Sequence, residues 1–410
     1  MPSRPPDSTP STTPGSGALA PLLLISLALL SAAAPLGTDM YLASMLQMAA
    51  DLHTSAPVVQ LTLSAFMVGL GLGQLLIGPI SDGLGRRRPM IVGTVVFLVT
   101  SVCVALAPTI QILIGLRFVM GMAGGTGIVL SRAVVADLAK ENGAARAFAL
   151  LMAIQGLAPV IGPVLGGVLS GLIGWRGIFA LLAVFNLFMT LAAVFVVPES
   201  LPVERRSASG PSRMLRDARQ ILANRRFVGY AVIFAVGFGV MFSYISASPF
   251  VLQGQYGLDR IHYALTFAGN AILMATVSLV STRLVGRVQV RQLLAAGLVL
   301  MVVGVGGLLV CGAFGAPLAA VVALLAVTVS GIALSLGNST ALAVGALGGR
   351  AAGTGSGIMG AAQFLVAGLV SPLVGFGQIP VRSMSLVMAA CLVVTLGVGL
   401  PLSRPQRNPA

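Results

Sequence analysis

The chain has 410 residues, of which 57% are hydrophobic and only 8% charged, and its mean hydropathy is +1.01. A soluble domain carries roughly a quarter of its residues charged, so this composition excludes a water-soluble globular fold and indicates a polytopic membrane protein. The net charge of +14 calls for no nucleic-acid partner, because its distribution along the chain follows a membrane rule, with added attraction to anionic lipid.

The first 17 residues, "MPSRPPDSTPSTTPGSG", are rich in Pro, Ser and Thr and read as a disordered tail. Twelve apolar runs follow, each near the length of a membrane helix. Their approximate limits are 20–44, 57–78, 90–107, 110–131, 146–170, 177–197, 227–249, 261–282, 292–312, 317–337, 354–376 and 383–403. With the N-terminus inside, 20 of the 24 basic residues fall on cytoplasmic segments. Only Arg176, Arg260 and Arg382 fall outside, and Arg117 falls within a span. That bias places both termini in the cytoplasm. The polar stretch 198–226 divides the spans into two sets of six, the layout of paired six-helix bundles. The expected organisation is a tail (1–17), a first bundle (18–197), a cytoplasmic linker (198–226), a second bundle (227–403) and a short tail (404–410). From Met214 the linker reads either as a surface amphipathic helix or as a charged connection. Cys103, Cys311 and Cys391 all lie inside spans and have no disulfide or metal spacing.

The first span carries "GTDMYLASM" (37–45), with the one acid placed at membrane depth, Asp39. From Pro21 it lies about 27 Å along a helix at about 1.5 Å per residue. Two readings fit. Asp39 caps a helix that restarts after Pro35, or it is a proton-binding carboxylate, since ionisable groups inside a span usually mark an ion or substrate path. The connection after span two reads "GPISDGLGRRRP", with Gly78, Asp82, Gly85, Arg86 and Arg87. Its counterpart after span eight, "VSTRLVGRVQVRQLL", lacks the acid, so the repeat is degenerate.

Span four contains Arg117 in "LIGLRFVMGMAGGTGIVLSR". An arginine there either faces the bundle interior or snorkels to the outer surface. The glycines after it suit a close helix approach. Span five, "MAIQGLAPVIGPVLGGVLSG", combines Pro159 and Pro163 with Gly162, Gly166 and Gly167. Physics alone allows it to be a kinked packing helix. Candidate cavity residues are Tyr41, Phe66, Gln74, Gln155, Phe238, Phe242, Tyr244 and Asn270, each of which could equally be packing.

These motifs resemble the major facilitator superfamily. The "GPISDGLGRR" stretch is similar to the family signature between spans two and three, with Gly83 where a basic residue is usual. Leu113–Gly121 resembles the fourth-span motif, with Arg117 in the arginine place. "APVIGPVLGG" (158–167) resembles the fifth-span motif of antiporters. "TDMYLASM", "SRAVVADL" (131–138) and "GWRGIF" (174–179) resemble the bicyclomycin and chloramphenicol resistance branch of twelve-span drug:proton antiporters. The resemblance implies an all-α fold of twelve transmembrane helices in two pseudo-symmetric bundles, in the bacterial inner membrane. It implies efflux of small, mostly apolar drugs driven by proton entry, in which Asp39 titrates and Arg117 tunes it. Asp82 then faces the N-terminus of span eleven near Gly353 and Thr354, and Arg86 pairs with Asp137 as a cytoplasmic gate. A monomer with no cofactor is expected, its partners being drug, protons and lipid. Neutral, amphenicol-like drugs fit a cavity with one acid. The alternative on the same fold is a proton-coupled importer, or an exporter of an endogenous metabolite. A membrane transferase would need clustered acids for a metal, and a channel would need a repeated filter; the sequence has neither.

Overall fold

The structure is a computed structural model that describes residues 19–139, 141–206, 211–348, 352–377 and 379–403. The tails expected at 1–17 and 404–410, with Lys140 and Arg350, lie outside the described residues. Secondary structure among the described residues is helical, apart from one isolated bridge between Val285 and Val288.

The first half contains α1 (Pro21–Asp51), α2 (Ala56–Leu84), α3 (Arg87–Ala105), α4 (Ile110–Leu138), α5 (141–173) and α6 (175–195). The connection holds α7 (Pro211–Leu222). The second half contains α8 (Arg225–Gln255), α9 (Arg260–Leu284), α10 (Val290–Phe314), α11 (Leu318–Gly345), α12 (Ala352–Leu373) and α13 (Pro380–Ser403). The apolar stretch Arg146–Phe195 is 50 residues long, far more than a bilayer of about 30 Å accommodates in one crossing. It reverses at Gly174, whose φ of 64° is open to glycine and strained for other residues. Among the described residues, twelve apolar segments are therefore long enough to cross, and an exposed belt of Leu, Val and Phe, including Leu172, Phe195 and Phe314, faces outward.

Helices extend beyond the apolar windows. α2 runs to Leu84 and α4 to Leu138, past the expected ends at 78 and 131. The stretch expected as a connection, Gly78 to Leu84, is therefore helical, and the turn occurs at Gly85, with φ 88°. Hydropathy detects the hydrocarbon-matched part of a helix, whereas hydrogen bonding carries the helix on into water. α1 departs in the other direction. Its first helix continues through Pro35 to Asp39, yields to a 3-10 turn at Leu42–Ser44, and resumes at Met45. Ser44, not Asp39, occupies the cap position, so the capping reading of Asp39 does not hold.

Close packing depends on glycine, because lipid tails give apolar helices no reason to associate beyond van der Waals contact. α2 and α4 interlock reciprocally: Gly69 and Gly73 face the α4 backbone at Phe118 and Met122, while Gly121 and Gly125 face the α2 backbone. A β-carbon on Gly125 would lie 2.9 Å from the Gln74 nitrogen.

The halves meet at the end remote from the arginine-rich loops. There the Gln60 side chain donates to the Ser246 carbonyl at 3.0 Å, Ser371 Oγ to the Gln60 carbonyl at 3.2 Å, and Ser64 Oγ to the Gly368 carbonyl. Arg260 donates to the Ser170 carbonyl at 3.1 Å. Gly167 on α5 leaves room only for the α9 backbone at Arg260 and the Ala264 methyl. At the arginine-rich end the halves part around a cavity.

Candidate functional site

The cavity has a volume of about 1070 Å³ and is walled by α1, α2, α4 and α5 of the first half, α8 and α12 of the second, and Ala218 of α7. Pro35, Thr38 and Asp39 lie at its depth, and Asp82, Arg86, Gly353 and Thr354 line its mouth. Asp39 is the only buried carboxylate among the described residues. The first helix of α1 ends on it, and α5 packs against it: a β-carbon on Gly162 would lie 3.0 Å from the Asp39 Cβ, and Gly166 abuts the Met40 carbonyl. The glycines of the span-five motif thus seat the α1 break, and Pro159 of the same motif borders the cavity. Pro163 lies within the helix one turn further on.

Arg117 is fully buried, pointing into the bundle; the snorkelling alternative does not hold. Its Nη1 donates to the Gly37 carbonyl at 3.0 Å, two residues before Asp39, and approaches the Met120 sulfur at 3.5 Å. Three ring faces surround the guanidinium, Phe66 at 4.2 Å, Tyr41 at 4.6 Å and Phe179 at 5.5 Å from its carbon. Nε and Nη2 are buried without a hydrogen-bond partner. Arg117 therefore reaches Asp39 through the α1 backbone, with no ion pair between them among the described residues.

Tyr41 and Phe66 are consequently packed on Arg117 rather than lining the cavity, and the Tyr41 hydroxyl meets Thr62 at 3.1 Å. Tyr244 and Asn270 are also interior. They hydrogen-bond each other at 2.9 Å, and Tyr244 stacks on Phe267. A buried hydroxyl or amide needs a partner, and for Tyr41, Tyr244 and Asn270 neighbouring side chains supply it. Gln74, Gln155, Phe238 and Phe242 do border the cavity. Several lining residues are absent from the sequence-based candidates, three of them polar or aromatic residues of note. Gln363 and Phe364 come from α12, where Phe364 meets Phe238 edge-on at 5.6 Å. Arg132 lies beyond the apolar window that ends at 131, and the continuation of α4 to Leu138 brings it to the cavity wall.

The mouth carries a charged cluster. Arg86 donates to Asp82 at 2.6 Å, to Asp137 at 3.1 Å and to Ser81 at 2.6 Å, and Ser200 donates to Asp137 at 2.9 Å. Asp82 points to Arg86; Gly353 and Thr354 stand across the open mouth, with no hydrogen bond to it among the described residues. Gly78 has open space beside it and borders the cavity. Gly85 is required twice: its φ is 88°, and a β-carbon there would run into the Glu199 carboxylate. Glu199, absent from the sequence reading, accepts from the backbone N–H of Arg86 at 2.8 Å and of Leu201 at 3.1 Å, and faces Arg206 at 3.5 Å. Burial pushes the Glu199 carboxyl up, but these backbone donors and Arg206 outweigh it and hold the group below the usual glutamate value. Arg87 donates to the Val194 carbonyl at 2.6 Å, satisfying the end of α6. At the far end, Asp51 accepts from Trp175 at 3.0 Å and lies 3.9 Å from Arg176, so "GWRGIF" secures the reversal at Gly174 against α1.

The sequence profile described as the Major Facilitator Superfamily matches residues 27–372. The uncharacterised MFS-type transporter YdgK of Bacillus subtilis is 33% identical, over 91% of this chain and 93% of its own length. A bicyclomycin resistance protein homologue of Haemophilus influenzae is 26% identical, over 92% of this chain and 94% of its own. Among solved structures, a bacterial homologue of the human lysosomal transporter Spinster superposes with a TM-score of 0.73 at 16% identity, covering 93% of this chain and 95% of that one.

Proposed function

We propose, for a chain that belongs to the Major Facilitator Superfamily and is a multi-pass inner-membrane transporter rather than an enzyme, that it exports small, mostly apolar drugs in exchange for protons. One observation carries the reading. The single buried carboxylate among the described residues, Asp39, borders a large, mainly apolar cavity, and beyond it the halves are joined by the Gln60–Ser246, Ser371–Gln60 and Arg260–Ser170 hydrogen bonds. The arginine-rich end is the cytoplasmic one by the positive-inside rule, so the cavity is inward-facing.

In the proposed cycle, drug enters from the cytoplasm or inner leaflet and settles against Phe238, Phe242 and Phe364. Its binding competes with the proton on Asp39, which leaves to the cytoplasm. The halves then rock about the α2–α12 and α5–α9 contacts. Asp82 meets the N-terminus of α12 near Gly353 and Thr354, where a helix dipole favours an anion. Drug is released outside, and a proton taken up there by Asp39 permits the return. Each step requires that drug and proton bind the two states with different affinity. Arg117 holds the α1 break through Gly37 and sets the field around the carboxylate. The name of the Haemophilus relative supports a drug as cargo, and the resemblance of the α5 stretch 158–167 to the antiporter motif supports exchange over symport.

Cells of a pump-deficient bacterium expressing the chain should accumulate less radiolabelled chloramphenicol than control cells, and a protonophore should abolish the difference. Persistent efflux in de-energised cells that retain ATP would refute proton exchange.

A further inference from the structure

The cavity contains one cation that no carboxylate neutralises among the described residues. Arg132 on α4 borders the cavity and is exposed within it. Its Nη2 donates to Gln155 Oε1 on α5 at 3.0 Å. Asp137, five residues on, points to another face of α4 and is occupied by Arg86 and Ser200. Gln155 spends its oxygen on Arg132, which leaves its Nε2 amide buried without an acceptor. An unmatched buried donor is costly, and a turn of the amide that brings Nε2 to a ligand acceptor in the cavity would relieve it. A guanidinium offers several donors and no acceptor, in a planar fork that matches paired oxygens.

From this geometry we infer that Arg132 and Gln155 form an anchor for one acceptor group of the substrate. The inference rests on the reading of this cavity as the drug site and narrows the cargo. It selects apolar molecules that carry a single oxygen-rich group, a carboxylate, nitro group or pair of carbonyl oxygens. That group docks on the Arg132 guanidinium and the Gln155 amide, while the apolar body lies against Phe238 and Phe242 across the cavity. Apolar cations gain nothing at the anchor and are repelled by it.

The test uses the full chain in lipid nanodiscs and two probes of contrasting chemistry. Dansyl-phenylalanine carries an aromatic body and a carboxylate, and tetraphenylphosphonium is an apolar cation. Arg132→Gln should weaken dansyl-phenylalanine binding by about tenfold or more, and Arg132→Lys by about threefold. Tetraphenylphosphonium affinity should hold or improve in both. An equal loss for the two probes would make Arg132 a wall residue and overturn the anchor, as would an unchanged dansyl-phenylalanine affinity. Should Arg132→Gln fail to fold, Gln155→Leu, which deletes the amide donor together with the acceptor that holds Arg132, carries the same contrast at about threefold. A wild-type protein that binds neither probe overturns the anchor and the drug-cavity reading together. Tetraphenylphosphonium binding with dansyl-phenylalanine unaffected by Arg132→Gln overturns the anchor alone.

Discussion

Replacing Arg117 by methionine should leave the protein folded and stop transport, whereas lysine at the same position should cost more stability. The structure sets both sides of the balance. Arg117 gains one charge-assisted hydrogen bond, to the Gly37 carbonyl, worth about 1.5–3 kcal/mol. Its contacts with the faces of Phe66 and Tyr41 add about 0.5–2 kcal/mol each. Against these stands the removal of a cation from water, several kcal/mol after relaxation, with two of its nitrogens unpaired. The sum is close to zero, so Arg117→Met, which removes charge and fills similar space, should change unfolding free energy by no more than about 1–2 kcal/mol. Arg117→Lys retains the charge and loses the planar face that three rings surround, and should be about 2–4 kcal/mol less stable than wild type. Thermal unfolding can be followed with a thiol-reactive dye in a Cys103→Ser background, because Cys103 is exposed whereas Cys311 and Cys391 are buried and become reactive on unfolding. Drug accumulation gives the functional readout. A methionine variant less stable than the lysine variant would refute the balance drawn here. A methionine variant that pumps at the wild-type rate would remove Arg117 from proton coupling.

Asp39→Asn keeps size and abolishes titration, so drug should still bind while uphill export fails; counterflow in proteoliposomes with and without an imposed pH gradient separates the two, and gradient-driven accumulation by the variant would place the proton site elsewhere. Asp82→Asn loses an ion pair of a half-exposed side chain, worth about 0.2–1 kcal/mol, in the inward-facing state. It loses a charge at the α12 terminus, up to about 2 kcal/mol when partly buried, in the outward-facing one. Cysteine labelling from the cytoplasmic side should therefore rise in that variant, and a fall would reverse the assignment of Asp82 as a gate. Glu199 titrates below its ordinary value of 4.5, so its stabilising contribution is full above that value and disappears as pH falls through the lower folded-state value. Glu199→Gln should accordingly be less stable than wild type at about pH 7, with the gap in melting temperature closing on acidification below about pH 4.5; a gap that widens there would contradict the hydrogen bonding of the Arg86 turn.

The chain by itself specified the membrane environment, the paired bundles and the positions of Asp39 and Arg117, because each of these is written in one-dimensional terms. Hydrocarbon thickness sets the length of an apolar run, lysine and arginine bias sets orientation, and a charge within such a run is costly wherever it points. The Asp82, Arg86 and Asp137 cluster was named from a motif, and three-dimensional packing brought it together. What the sequence could not carry is the direction of each side chain around its helix. Tyr41 and Phe66 are as aromatic as Phe238 and Phe242, yet the first pair covers Arg117 and the second faces the cavity. Only the rotation of α1 and α2 against α4, set by glycine contacts at Gly69, Gly73, Gly121 and Gly125, decides which. Arg132 shows the same limit along the axis: hydropathy ended its span at 131, and the continuation of α4 to Leu138 carried the arginine into the cavity wall beside Gln155. Tertiary structure also decided which end of the cavity is shut. That depends on hydrogen bonds such as Gln60 to Ser246 between residues far apart in the chain, and an alternating-access fold forms and breaks such bonds without any change of sequence.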